Sequence, residues 1–223
     1  MSAVTDSSLR KALQKLRRPS LAEARGLIIF VHGSGSSRFS VRNRYVAEQL
    51  NQYGLGTLLL DILTREEQEV DEQTMEFRFD IPLLAKRSTM AARWAMSQAD
   101  LQDLPIGLFG ASTGAAAALI TAATLKRHIA TTVSRGGRPD LAEDALDKVE
   151  TPTLLIVGGE DHAVLDLNRR AARRMHCPNK LHIVVGATHL FEESGALEEV
   201  ATIAAEWFAQ HMPAQALVGS KGR

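Results

Sequence analysis

Gly110, Ala111, Ser112, Thr113 and Gly114 lie between an apolar run, Ile106 to Phe109, and an alanine-rich stretch, Ala115 to Leu119, that reads as the start of a helix. A serine with glycine two residues away on each side is what a sharp strand-to-helix turn demands. A Cβ at either flank would clash, while the serine hydroxyl is thrust up at the end of the strand. Such a nucleophile elbow sets the serine at a helix N-terminus. There the backbone N–H of Thr113 and the positive end of the helix dipole are placed to stabilise a developing oxyanion. The chemistry this suits is acyl transfer.

A serine hydroxyl is a poor nucleophile until a base takes its proton, and a histidine serves as that base only when a carboxylate fixes its tautomer. Two further strand ends offer these groups. After Thr153 to Val157 comes Gly158, Gly159, Glu160, Asp161, and after Leu181 to Val185 comes Gly186, Ala187, Thr188, His189. Serine, then acid, then histidine is the chain order of strand-to-helix elbow enzymes. Asp161 is favoured as the acid over Glu160 and over Asp166, which reads as a helix N-cap. His189 is favoured as the base over His162, which directly follows the candidate acid.

The second oxyanion donor is expected in the loop that ends an early strand, Val31, His32, Gly33, Ser34, Gly35, with the backbone N–H of Ser34 first in line. Gly33 to Gly35 also opens a dinucleotide fingerprint, but position 38 is arginine where the third glycine belongs, and no glycine-rich segment is followed by Gly-Lys-Ser/Thr. Both nucleotide-loop readings are therefore set aside, and no cofactor or metal is expected. Arg38 and Arg135 follow strand ends and are the candidates to bind a carboxylate or phosphate on the substrate. The plainer alternative is that such arginines pair with acidic neighbours such as Asp140 and Glu143.

The elements that must position these groups are legible as alternating segments. Leu27 to Val31, Thr57 to Leu60, Ile106 to Phe109, Ile129 to Val133, Thr153 to Val157 and Leu181 to Val185 are continuously apolar, as strands buried on both faces are. Between them lie helix-like stretches: Val41 to Tyr53 after Ser40, Ile81 to Met96, a segment opened by Asp140 with Glu143 as a capping box, Asp166 to Met175, and Leu197 to His211. The acidic run Glu66 to Glu72 reads as a solvated loop. This succession predicts an α/β fold with a mostly parallel sheet and helices on both faces, its reactive groups at the carboxyl ends of the strands.

Composition limits the alternatives. A chain of 223 residues with 45% hydrophobic content suits one core. Its 26 basic and 26 acidic residues cancel, which disfavours nucleic acid as a partner. The one cysteine, Cys177, the lack of a secretory apolar region near the start and the lack of any bilayer-length run predict a soluble cytoplasmic protein with no membrane span. Leu9, Ala12, Leu13 and Leu16 share one helical face in a basic stretch, expected to cover the domain edge.

The stretches VHGSGSSR, GASTGAAAA, SRGGRPDL, TPTLLIVGGEDHAVL and GATHLFEE, from about Leu27 to His211, resemble in order the α/β-hydrolases, and among them the dienelactone-hydrolase-like group. The resemblance implies an α/β-hydrolase domain over residues 26–212, between a basic helical extension, 1–25, and a tail, 213–223. It also implies a triad of Ser112, Asp161 and His189 acting on esters, lactones or related acyl bonds of a small substrate. Two departures stand out. Dienelactone hydrolases proper carry a cysteine nucleophile where this chain has Ser112, which argues against dienelactone itself as the substrate. The strands that usually precede the VHG strand are missing, so an edge strand needs cover, from the N-terminal helix or from a second copy in a homodimer. Nothing between Val133 and Thr153 is long enough for a large lid. The rival readings are a non-catalytic binding module on the same scaffold and an acyltransferase or thioesterase using the same serine.

Overall fold

The computed structural model describes residues 24–212. The basic stretch around Leu9 to Leu16 and the tail from residue 213 onward lie outside the described residues.

Six strands form one parallel sheet: β1 (Leu27–Val31), β2 (Gly56–Leu59), β3 (Ile106–Ala111), β4 (Ile129–Arg135), β5 (Thr153–Gly158) and β6 (Asn179–Val184), in the order β2-β1-β3-β4-β5-β6. The helices are α1 (Val41–Gln52), α2 (Arg65–Thr74), α3 (Ile81–Ser97), α4 (Thr113–Leu125), α5 (His162–Arg174) and α6 (Ala196–His211). Alternation along β1 divides the core between the two faces of the sheet. Ile28 and Phe30 pack with Val46 and Leu50 of α1 and with Ala204 and Phe208 of α6. Leu27, Ile29 and Val31 pack with Ala91 and Ala95 of α3 and with the alanines of α4. This is the α/β-hydrolase architecture with helices on both faces, and all pairings among the described strands are parallel. Strand order reverses between β1 and β3, and at such a switch point the two following loops diverge and leave a crevice.

Three local expectations change. The acidic run is helix α2, started by Thr64 in a complete capping box with Glu67. Glu67 and Asp71, four residues apart, share a face that turns inward. Glu67 pairs with the buried Arg87, and Asp71, with no exposed surface, receives Arg78 through both its backbone N–H and its guanidinium. Glu67 and Asp71 are therefore paired, while Glu66, Glu69 and Glu72 stay exposed to solvent. The segment after Asp140 is two short 3-10 stretches between Pro139 and Lys148, kinked at Glu143 with φ 47°, rather than a capped α-helix, and Arg138 holds the Asp140 carboxylate. Helix α5 begins at His162, four residues before Asp166, with Asp161 at the N-cap position and Asp166 paired with Arg169.

The elbow leaves no room for a side chain at its last glycine. A Cβ on Gly114 would lie 2.2 Å from the carbonyl oxygen of Val31 and 2.5 Å from that of His32, both backbone atoms of the neighbouring strand end. Gly114→Ala is expected to cost about 2–3 kcal/mol of stability, the scale of overpacking against atoms that cannot yield. Urea unfolding measures this, and a wild-type midpoint would contradict the packing described.

Candidate active site

Ser112 stands at the turn between β3 and α4 with φ 51° and ψ −122°, a conformation that costs a non-glycine residue about 1–3 kcal/mol and persists only where its surroundings enforce it. They do so through the backbone. The Ser112 N–H donates to the carbonyl of Arg135 at 3.2 Å, and its carbonyl accepts from the N–H groups of Ala115 and Arg138, each at 3.1 Å. The side chain is half-buried at the crevice.

His189 and Asp161 meet here from two other strand ends. Nδ1 of His189 lies 2.6 Å from Oδ2 of Asp161. Gly158 makes this approach possible: a Cβ there would sit 2.4 Å and 2.5 Å from the carbonyl oxygens of Ala187 and Thr188. Bonds from Gly159 N–H to the Val184 carbonyl and from Glu160 N–H to the Ala187 carbonyl lock the two loops together. Asp161 caps no helix N–H with its side chain, so the carboxylate is free for the imidazole. With Nδ1–H directed at the carboxylate, Nε2 keeps the lone pair. The imidazole also borders the chain that holds the serine, since a Cβ on Gly136 would lie 3.6 Å from Cε1 of His189, and Gly136 directly follows the carbonyl that binds Ser112. The alternatives fall elsewhere: Glu160 and His162 face each other at 3.9 Å, both largely exposed.

The loop after β1 closes on the same point. Gly33 touches the elbow so closely that a Cβ would lie 2.8 Å from Cβ of Ser112. The Ser34 N–H donates to Oγ1 of Thr113 at 3.1 Å, and the Ser34 hydroxyl bonds the Thr113 hydroxyl and the carbonyl of Arg78. The segment that follows α2 thereby rests on the loop after β1. His32 fastens the loop's root: Nε2 accepts from the Ile62 N–H and Nδ1 donates to the Gly33 carbonyl, both at 3.0 Å. Neither the Thr113 hydroxyl nor His32 carries a local sequence signal for these roles, which depend on contacts 79 and 30 residues apart.

The two candidate arginines part company. Arg38 binds Asp61 at the end of β2 through its backbone N–H and its guanidinium, and that guanidinium lies 4.5 Å over the ring of Phe39. Arg135 is buried beside the elbow. No metal-type cluster of histidine, cysteine and carboxylate groups occurs among the described residues. No described helix is long and apolar enough to cross a membrane.

With this geometry in place, kinship can be stated. The chain belongs to the dienelactone hydrolase family, which it matches over residues 15–212. Among solved structures it is similar to the dienelactone hydrolase of Anabaena variabilis, at 53% identity and a TM-score of 0.83, with 85% of this chain and 88% of that one covered. It shares its fold with Est1E of Butyrivibrio proteoclasticus, at 18% identity and a TM-score of 0.70, over 85% of this chain and 89% of that one. A curated relative from Mycobacterium tuberculosis, 54% identical over 188 residues, bears the name "Putative phosphoribosyl transferase". The match takes in 84% of this chain and 42% of that relative, so the chain spans well under half of the relative's length. Family and structural kinship together support a hydrolase.

Burial, working against the Gly33 hydrogen bond and the nearby Asp61 charge, lowers the pKa of His32 from its ordinary 6.5. The folded protein thus disfavours the proton that the unfolded chain binds. The resulting stability is present above about pH 6.5 and is lost as the pH falls below it. Wild type should therefore lose more stability than His32→Gln between pH 7 and pH 5, by at most about 1.4 kcal/mol per pH unit for one proton. Urea unfolding at both pH values measures the difference, and parallel losses would contradict it.

Proposed function

We propose that the chain is a serine hydrolase that cleaves an ester-type acyl bond of a small substrate. Ser112 Oγ attacks the acyl carbonyl while Nε2 of His189 takes its proton, and the proton passes to the departing alkoxide as the acyl-serine forms. Water then attacks the acyl-serine, giving its proton to Nε2, and the serine leaves reprotonated. Asp161 keeps the imidazole in the required tautomer and stabilises the imidazolium. The observation that carries this reading is the 2.6 Å bond between Asp161 and His189, set against the backbone that holds Ser112 in its strained turn.

The backbone N–H groups of Thr113 and Ser34 are assigned to the oxyanion. The Ser34 N–H is engaged by the neutral hydroxyl of Thr113. An oxyanion, as the stronger acceptor, competes well for that donor. The ten residues of α2 are a small cover, which suits a compact substrate. The Asp161–His189 pair at the elbow supports a catalytic role over a binding module, and product analysis separates water from another acceptor.

A fluorophosphonate probe should label wild type and fail on Ser112→Ala. If the triad acts as a unit, Ser112→Ala and His189→Ala should each lower ester turnover by something on the order of 10⁶ with folding retained. A loss of only a few-fold in folded protein would contradict the assignment.

A further inference from the structure

Among the acidic residues of α2, Asp71 alone has no exposed surface, and it spends its oxygens on the turn that follows its own helix. Oδ1 accepts from the N–H groups of Phe77 and Arg78 at 2.9 and 2.8 Å, and Oδ2 accepts from Nε of Arg78 at 2.7 Å. The Asp71 carbonyl accepts from Nη2 of Arg78 at 2.8 Å. Four bonds to one buried residue leave the backbone at Arg78 little freedom. Its carbonyl is then used across 44 residues of sequence, where it accepts from the Ser34 hydroxyl at 3.2 Å. The Arg78 guanidinium lies along the same loop, since a Cβ on Gly35 would stand 4.0 Å from its Nη1.

A carbonyl oxygen only accepts and a hydroxyl has one proton, so the contacts around Ser34 have a single consistent direction. With its proton on the Arg78 carbonyl, Ser34 Oγ accepts from the Thr113 hydroxyl at 3.0 Å. Thr113 Oγ1, its own proton spent, keeps a lone pair for the Ser34 N–H at 3.1 Å. The Arg78 carbonyl therefore sets the sense of the whole chain of bonds. Without it both hydroxyls are free to turn, and the loop after β1 loses a tie to the segment beyond α2.

We propose that Asp71 is a positioning residue for the hydrolysis, holding the Ser34 N–H in place as an oxyanion donor through the Arg78 carbonyl and the hydroxyls of Ser34 and Thr113. This rests on the serine hydrolase reading and adds to it a residue remote from the reacting atoms. The donor that must meet the developing charge is held by the folded chain beforehand, instead of being ordered at the moment of reaction. When the oxyanion forms, it takes the Ser34 N–H from a neutral hydroxyl, while the Ser34 hydroxyl stays on Arg78 and keeps the loop in register.

The test reads kcat and kcat/KM for p-nitrophenyl acetate per serine titrated to completion with a fluorophosphonate, so that unfolded protein does not count. Asp71→Asn keeps the side-chain shape and removes the charge, and Ser34→Ala keeps the backbone donor and removes the tie to Arg78. Each should lower kcat and kcat/KM equally, by about 10- to 100-fold, short of the roughly 10²- to 10³-fold cost of deleting an oxyanion donor outright. The double variant should be no slower than the slower single, because both changes break one line of contacts. A trifluoromethyl ketone, which forms an oxyanion on the serine, should bind each variant more weakly by a similar factor. If Asp71→Asn does not fold, Arg78→Gln opens the clasp from its more exposed end, with the same expectations. Wild-type turnover per titrated serine in the folded variants would overturn the assignment. Losses that multiply in the double variant would overturn it too, since Asp71 would then act by a route other than Ser34. Ester turnover that survives Ser112→Ala would instead sink the hydrolase reading, and the role of Asp71 with it.

Discussion

The backbone of Ser112 is held where a side-chain-bearing residue does not rest by choice, at φ 51° and ψ −122°, and much of the molecule near the strand ends is arranged to hold it there. Gly33 and Gly114 let the ends of β1 and β3 approach within contact distance of the turn, and Gly110 does the same beneath it, where a Cβ would meet Cα of Ala115 at 2.5 Å. Backbone hydrogen bonds from β4 and the following loop complete the restraint. The strain is thus a local cost borne by a rigid parallel sheet. It fixes where the Ser112 side chain starts, and under the proposed mechanism such preorganisation spares the reaction the reorganisation it would otherwise need.

Charge is handled in two opposite ways around that point. The segment over the loop after β1 is clasped by ion pairs with buried members, Asp71 with Arg78 and Glu67 with Arg87. Burial pushes the Asp71 carboxyl up, but the hydrogen bonds and charge of Arg78 outweigh it and hold it below the usual carboxylate range. Glu67 is likewise held down, chiefly by Arg87. These pairs turn a strongly polar segment into a fixed wall. Arg135, by contrast, is buried unpaired next to Arg42. The contrast lies in the carboxylate that Arg87 has and Arg135 lacks.

What the sequence disclosed follows the reach of the interactions involved. The elbow, the six strands and the placement of Asp161 and His189 after β5 and β6 rest on local facts: glycine spacing and largely apolar runs, unbroken in β1 and β5 where both faces of the sheet are covered and interrupted by His182 in the edge strand β6. The acidic run misled because Glu67 and Asp71 turn inward to Arg87 and Arg78, partners outside the run that its charge pattern does not reveal. Asp140 and Asp166 misled at short range: Arg138, two residues away, holds the first carboxylate, and the helix already starts at His162, four residues before the second. Asp161 was hidden as a helix boundary because its carboxylate serves His189 instead of the helix. Arg38 and Arg135 have equivalent strand-end positions in the sequence, and only the fold shows that one meets Asp61 and the other meets no acid.

The central claim is that the hydroxyl of residue 112 becomes transiently acylated. Mixing the protein with an activated ester, quenching in acid within a turnover and mapping the peptides by mass would test it most directly. The account predicts one acyl group, on the peptide containing Ser112. Acyl groups found on another residue, or turnover proceeding with none trapped on that peptide, would contradict it.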